Sequence, residues 1–234
     1  MLRPNLIMEK MKIGAITVGQ APRVDVTCDI MDYFSGSIDL IQKGGLDGLT
    51  REEIEKFVPG EGDYVLVSRL TDGSSVTFAE KYIVPRLQKA ICELEEAGVK
   101  LIMVFCTGQF PAELHSKVPM VFPDKVLTTV VPILAGNTNI VTVTPSELQL
   151  EQNNRKWSSF VKSVRSVSGN PYGGLEGLVP VAEKIAAMDG VDLIVLDCIG
   201  FTKEMKRMFA EVTGKPVILP RTLLARVVSE MTDR

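Results

Sequence analysis

One histidine, one tryptophan and four cysteines in 234 residues leave little material for several kinds of chemistry. The single histidine is His115, and neither a CxxC nor an HExxH spacing occurs. A zinc site would have to gather scattered ligands, so no metal is expected. Lys plus Arg number 26 against 29 Asp plus Glu, and a net charge of −3 gives nucleic acid nothing to be attracted to. The Gly44-Gly45-Leu46-Asp47-Gly48 run does not match GxGxxG, and no GxxxxGK[ST] or GxSxG occurs. Dinucleotide, P-loop and serine-elbow readings are therefore unsupported. No stretch approaches the roughly 20 apolar residues that span a bilayer, and Met1 to Lys10 holds no signal-length apolar run. No membrane partner is expected, a cytoplasmic location is the default, and the first ten residues read as a ragged extension.

What is present is an alternation of short apolar runs with helical patterns, in a chain that is 45% apolar and long enough for a sizeable core. Strands are expected at Lys12 to Val18, Ile38 to Gln42, Tyr64 to Val67, Asn139 to Thr144, Val161 to Val167 and Pro216 to Leu219, with two more in the apolar runs that follow Gly98 and Gly190 and lead to Cys106 and Cys198. Helices are expected from Arg23 to about Tyr33, with Pro22 suited to the first turn, and from about Thr77 to Ala97, where Pro85 marks a kink or a later start. Thr50-Arg51-Glu52-Glu53 is a capping box that opens a short helix. Further helices follow over Asp124 to Ala135, Pro145 to about Trp157, up to Met188, about Thr202 to Val212 and Arg221 to Met231. A proline-rich loop (Pro111, Pro119, Pro123) and a glycine-rich one (Ser168 to Gly177) separate some of them. Alternating strands and helices imply right-handed crossovers and parallel sheets.

Gly98 to Gly108 and Gly190 to Gly200 are near-copies, identical at six of eleven positions at a constant offset of 92 residues. Each copy is an apolar strand ending in Cys-x-Gly, at Cys106 and Cys198. The fold class expected is therefore α/β, with two pseudo-symmetric parallel-sheet lobes facing each other across a cleft. Residues 11–107 with about 214–234 would form the first lobe and 108–213 the second. Carboxyl ends of parallel strands are where ligands bind, so one thiol from each half should meet there. Cys28 and Cys92 lie in helical patterns among apolar neighbours and read as buried packing thiols.

Two opposed thiols can invert a carbon centre, one thiolate removing a proton and the other thiol returning one. A carboxylate activates that carbon, so no cofactor is expected. A helix N-terminus after each cysteine would favour thiolate. Gly108 and Gly200 would let backbone N–H groups form a nest for a carboxylate. Other strand exits supply ligand contacts: Gly19, Gln20 and Arg23, whose guanidinium suits a bidentate carboxylate; Asp72, with Ser74 and Ser75; and Thr144 with Ser146. Each of these sets also suits capping or turn formation. Asp197 should point to the face opposite Cys198, and His115 reads as a surface loop residue.

Ile13-Gly14-Ala15-Ile16-Thr17-Val18-Gly19-Gln20-Ala21-Pro22-Arg23, Leu49-Thr50-Arg51-Glu52-Glu53 and Leu196-Asp197-Cys198-Ile199-Gly200-Phe201 resemble the AroM family, over nearly the whole chain from Met11. That family has no settled activity. More distantly, the paired strand-end cysteines are similar to the aspartate, glutamate and hydantoin racemase superfamily. That resemblance implies base and acid roles for Cys106 and Cys198 and carboxylate binding at Thr107 and Gly108. The chain differs from that group in having Thr107-Gly108 where Asn-Thr is usual and Asp197 where a small residue is usual. The function expected is a cofactor-independent racemase or isomerase acting on a small carboxylate or related carbonyl compound, with a homodimer as the candidate assembly. Two alternatives stand beside it: a decarboxylase or cis–trans isomerase using Cys198 alone, and a non-catalytic small-ligand sensor.

Overall fold

The computed structural model describes residues 10–34, 36–110 and 114–233. The N-terminal extension up to residue 9 and Pro111 of the proline-rich loop lie outside the described residues. The first half runs β1 (Met11–Thr17), α1 (Val24–Ile30), β2 (Ile38–Gly44), α2 (Arg51–Ile54), β3 (Val65–Arg69), β4 (Ser75–Ala79), α3 (Val84–Glu96), β5 (Ile102–Phe105) and β6 (Met120–Val121). The second runs α4 (Pro123–Ala135), β7 (Asn139–Thr144), α5 (Leu150–Ser158), β8 (Ser163–Ser168), α6 (Val179–Ala186), β9 (Leu193–Leu196), α7 (Lys203–Thr213), β10 (Val217–Ile218) and α8 (Pro220–Thr232).

Two four-stranded sheets result, ordered β2-β1-β5-β6 and β8-β7-β9-β10, and every strand pair in them is parallel. The fold is the α/β, two-lobed one that the repeat implies. The registers match between lobes: Met103 pairs with Val121 as Val195 pairs with Ile218. Residue alternation along the strands then gives each sheet two apolar faces. On the first sheet Ile102 and Val104 face α3 through Leu87, Ile91 and Leu94, while Met103 and Phe105 face α1 and α8 through Val26, Ile30, Leu224 and Val228. On the second, Ile194 and Leu196 face α6 and α7, while Leu193 and Val195 face α4 and Trp157 of α5. The lobes thus exchange a helix: α4 leaves the first sheet to cover the second, and α8 leaves the second to cover the first. Of the closing segment, β10 pairs within the second sheet and α8 packs on the first.

Two local expectations are corrected. The stretch from Thr77 is not the start of a long helix. Val76, Thr77 and Phe78 are β-branched or aromatic and pair antiparallel with β3 in a hairpin separate from both sheets. Pro85 sits in the first turn of α3 and so marks the later start. Cys28 and Cys92 are exposed. The buried stripes are Val26 and Ile30 on α1 and Leu87, Ala90, Ile91 and Leu94 on α3, and each cysteine falls beside its stripe.

Candidate functional site

Cys106 and Cys198 leave the ends of β5 and β9 and line one cavity at the junction of the lobes, with Thr107, Gly108, Thr144, Ser68, Gln149 and Asn153 among its other walls. The two thiols are held alike. The N–H of Gly108 donates to Cys106 Sγ at 3.3 Å, and the N–H of Gly200 donates to Cys198 Sγ at 3.3 Å. The cavity measures about 30 Å³, room for one or two waters. A substrate of several heavy atoms therefore needs a wall to move, and β3, in its own small hairpin, forms one wall through Leu66, Val67 and Ser68.

Burial decides the state of both thiols. It pushes Cys106 up to about 12, outweighing the Gly108 N–H. It also pushes Cys198 up, against the Gly200 N–H, the Tyr172 hydroxyl and the Arg23 charge. The expectation of thiolates at helix N-termini is thus overturned. After Cys106 the chain enters a loop and then β6, and α7 begins only at Lys203. The glycine nest is corrected too, since both N–H groups are engaged by the sulfurs.

Beside the thiols lies a buried ion pair. Lys156 Nζ sits 3.0 Å from Asp197 Oδ2, with side-chain exposures of 2% and 1%. Asn153 Nδ2 and Trp157 Nε1 each donate to the same Asp197 oxygen at 2.7 Å, and Lys156 also donates to the Thr107 carbonyl at 2.9 Å. The Asp197 carboxylate anchors α5 through Asn153, Lys156 and Trp157, and the residue lines the same cavity as Cys198. Thr107 Oγ1 donates to the Asp197 carbonyl at 3.0 Å, so the two cysteine loops are tied to one another.

Asp124, near the start of α4, is also buried, and its Oδ1 has no hydrogen-bond partner among the described residues. Burial lifts its carboxyl to about 6, opposed by the charge of Lys156. An unfolded Asp titrates near ~3.9, so the folded chain binds the extra proton between the two values. The stability this group contributes is full below the unfolded value and is lost as pH rises through about 6. Asp124→Asn should match the parent near about pH 4 and exceed it by roughly 1–3 kcal/mol at about pH 7.5, as read by urea unfolding at both values.

Of the other expected contacts, Thr144 lines the cavity and its Oγ1 donates to Gln149 Oε1 at 3.1 Å. Gly19, Gln20, Arg23, Asp72, Ser146 and Gly200 are not among its lining residues. Arg23 is buried, but its bidentate partner is internal: Nε and Nη2 donate to Asp25 at 2.9 and 2.8 Å. Burial opposes both charges, yet this pairing holds the guanidinium above and the Asp25 carboxyl below their ordinary ranges. Gln20 Oε1 accepts from Thr71 N–H and Oγ1, tying β1 to the hairpin. Asp72 closes the hairpin turn onto Ser74, and Ser146 caps the turn at Leu148. Ser75 begins β4, and His115 is an exposed loop residue bonded through its backbone to Gln88. Gly19 is needed for close approach, because a Cβ there would run into the Arg69 carbonyl and Ser68 Oγ. Gly19→Ala should destabilise the chain by about 1–3 kcal/mol, measured as a lower urea midpoint at unchanged slope.

Sequence reasoning missed Lys156, Asn153, Tyr64 and Tyr172. The Tyr172 hydroxyl lies 3.8 Å from Cys198 Sγ, and the Arg23 guanidinium lies 5.9 Å from the ring centroid, within reach of a cation–π contact. Gly200 makes room for that ring, since a Cβ would come within 2.7 Å of its hydroxyl. Tyr64 plays a similar part beside Cys106, accepting from the Gln109 N–H at 3.0 Å.

The sequence model of a family described as AroM protein matches residues 13–232. No curated protein matches the sequence. Among solved structures, an aspartate racemase from Picrophilus torridus is similar with a TM-score of 0.62 at 14% identity, over 95% of this chain and 94% of that one. A maleate isomerase from Pseudomonas putida gives 0.63 at 13% identity, over 96% and 94%. An unliganded arylmalonate decarboxylase gives 0.59 at 14% identity, over 96% and 93%. At such identities the likeness establishes the fold alone, and the fold is that of racemases, isomerases and a decarboxylase.

Proposed function

We propose that this chain, which belongs to the AroM family, is a cofactor-independent racemase or isomerase acting at the carbon beside a carboxylate or related carbonyl in a small molecule. The observation that carries this reading is the pair of thiols, one from each sheet, on the wall of one cavity and each held by the N–H of the glycine two residues on. One sulfur, as thiolate, takes the proton from carbon, leaving the electron pair delocalised into the carboxylate. The other thiol returns a proton to the opposite face and becomes the thiolate. Each sulfur exchanges one proton, so inversion needs no redox partner. The names of the structural neighbours, a racemase and an isomerase among them, support the same class.

A second reading draws on an asymmetry. Only Cys198 has the Tyr172 hydroxyl and the Arg23 charge beside it. Cys198 acting alone would suit a decarboxylation or a covalent cis–trans isomerisation, for which the decarboxylase fold is a precedent.

The test is incubation with a panel of small chiral carboxylates in D2O, followed by proton NMR. Deuterium should enter the carbon beside the carboxylate and should cease to do so in the Cys106→Ser/Cys198→Ser double variant. Exchange that survives the double variant rules out the thiols, and a panel with no exchange at all favours the ligand-sensor alternative.

A further inference from the structure

The peptide bonds that follow the two cysteines are backed in the same way. Behind Cys106, Lys156 Nζ donates to the Thr107 carbonyl at 2.9 Å, and the N–H across that peptide, from Gly108, donates to the sulfur. Behind Cys198, Arg221 Nε and Nη2 donate to the Ile199 carbonyl at 3.0 and 2.7 Å, and the N–H across that peptide, from Gly200, donates to the sulfur. Carbonyl and N–H point to opposite sides of a planar trans peptide. A cation that fixes the carbonyl therefore aims the N–H at the sulfur, and by drawing on the carbonyl oxygen it strengthens that N–H as a donor. Each cation reaches its loop from a helix packed on the opposite sheet: Lys156 from α5 on the second, Arg221 from α8 on the first.

The internal symmetry of the fold makes the coincidence sharper. On the strand registers Thr17 lies level with Phe105, and Thr144 follows Val143, which lies level with Leu196. Val121 and Ile218 share a register and Pro123 and Pro220 open the helices that follow, so Asp124 and Arg221 are counterparts, while Asp29 and Lys156 lie on α1 and α5, the helices after β1 and β7. Arg221 of α8 pairs with Asp29 of α1 at 2.9 Å, and the counterpart helices α4 and α5 carry Asp124 and Lys156. The charges are exchanged between the helices of the two lobes, yet a buried cation ends on the carbonyl behind each cysteine. Packing alone does not demand that a Lys on one element and an Arg on a non-equivalent one converge on equivalent carbonyls.

We propose that Lys156 and Arg221 are a matched pair of positioning residues, each orienting and polarising the peptide whose N–H holds one of the two sulfurs, so that each loop can stabilise a thiolate. This deepens the two-thiol reading above and rests on it for its purpose. The device itself is observable without turnover, and failure of catalysis would leave it standing. It also answers a need that the site creates, because burial alone drives both thiols toward the neutral form. The charged and titratable groups facing Cys106 are Lys156, Asp124, Cys198 and, across the cavity, Asp197 and Tyr64. Those facing Cys198 are Tyr172, Arg23, Asp197 and Cys106.

The experiment reads the pH midpoint of iodoacetamide alkylation for each cysteine by mass spectrometry. Cys28 and Cys92 are first replaced by serine, being exposed and outside the site. Each cation is removed together with its own carboxylate, so that no buried charge is left single. Arg221→Gln with Asp29→Asn should raise the Cys198 midpoint by roughly half to one pH unit and leave that of Cys106 in place. Lys156→Gln with Asp197→Asn should raise the Cys106 midpoint by a similar amount, while that of Cys198 stays or falls, because a neighbouring negative charge has gone. Midpoints that do not move, or that move together in both variants as general loosening would make them, overturn the proposal. Should a pair variant fail to fold, the charge-keeping Arg221→Lys and Lys156→Arg are measured in its place and read in the same way. A rise confined to the cysteine behind the altered cation supports the device, and a rise in both thiols or in neither overturns it.

Discussion

Asp197→Ala is expected to destabilise the chain by about 3–5 kcal/mol, the range for stripping one partner from a buried ion pair. The side chain is 1% exposed, and its oxygens receive Lys156 Nζ, Asn153 Nδ2 and Trp157 Nε1. Removing it leaves a buried ammonium whose remaining acceptor is the Thr107 carbonyl, together with two buried N–H donors that have lost their acceptor. Water cannot repair this cheaply, because Trp157 is fully buried and the adjoining cavity is small. Asp197→Asn keeps the shape and one acceptor oxygen, so it should lose less than the alanine variant. The pair replacement Lys156→Met/Asp197→Asn should lose less than the two single changes added together, since the uncompensated charge is gone. Urea unfolding at neutral pH reads all of these. A loss below about 1 kcal/mol in Asp197→Ala would mean that the pair contributes little beyond its own desolvation.

That cluster marks where sequence reading stops. The architecture was legible because strand and helix alternate with clear periods and because the Gly98–Gly108 segment recurs at Gly190–Gly200. Parallel order and the meeting of the two cysteines at strand ends follow from the same pattern. Burial of single residues was less legible. Cys28 and Cys92 have apolar sequence neighbours, but one step around a helix, about 100°, takes a side chain off the core stripe. The β3–β4 hairpin was half hidden because Val76-Thr77-Phe78-Ala79 adjoins a real helix and borrows its apparent period. Arg23 was legible as a bidentate cation, but Asp25, two residues on, satisfies it, and a local partner outcompetes an incoming ligand. Lys156 left a fainter signal: Gln149, Asn153 and Lys156 recur at helical spacing beside Trp157, a polar stripe where a core stripe belongs. Buried polar groups need partners, so such a stripe points to a network. Its partner at Asp197 comes from a strand end 41 residues away, and no local pattern specifies that distance.

The largest functional effects should come from the cysteines taken one at a time. If proton exchange uses both sulfurs, Cys106→Ser and Cys198→Ser should each lower racemisation by about 10²–10⁴-fold, because a serine hydroxyl at that position neither holds a negative charge nor gives a proton with comparable ease. Racemisation and exchange then part company. A chain that keeps one thiol can still remove and return a proton on one face, so deuterium should enter one enantiomer and not the other, with the preference reversed between the two variants. Both thiols are raised by burial, Cys106 to about 12. The thiolate fraction therefore grows as pH rises, and the wild-type rate should climb through the alkaline range without the plateau near ~8.5 that a free thiol would give. Enantiomer-resolved exchange in D2O, followed across pH for both variants, separates the alternatives directly. Equal losses with opposite facial preference require two bases. A Cys106→Ser variant that keeps nearly full activity, beside a dead Cys198→Ser, would leave Cys198 as the single reacting thiol, with the Tyr172 hydroxyl 3.8 Å from it as an adjacent side-chain proton source.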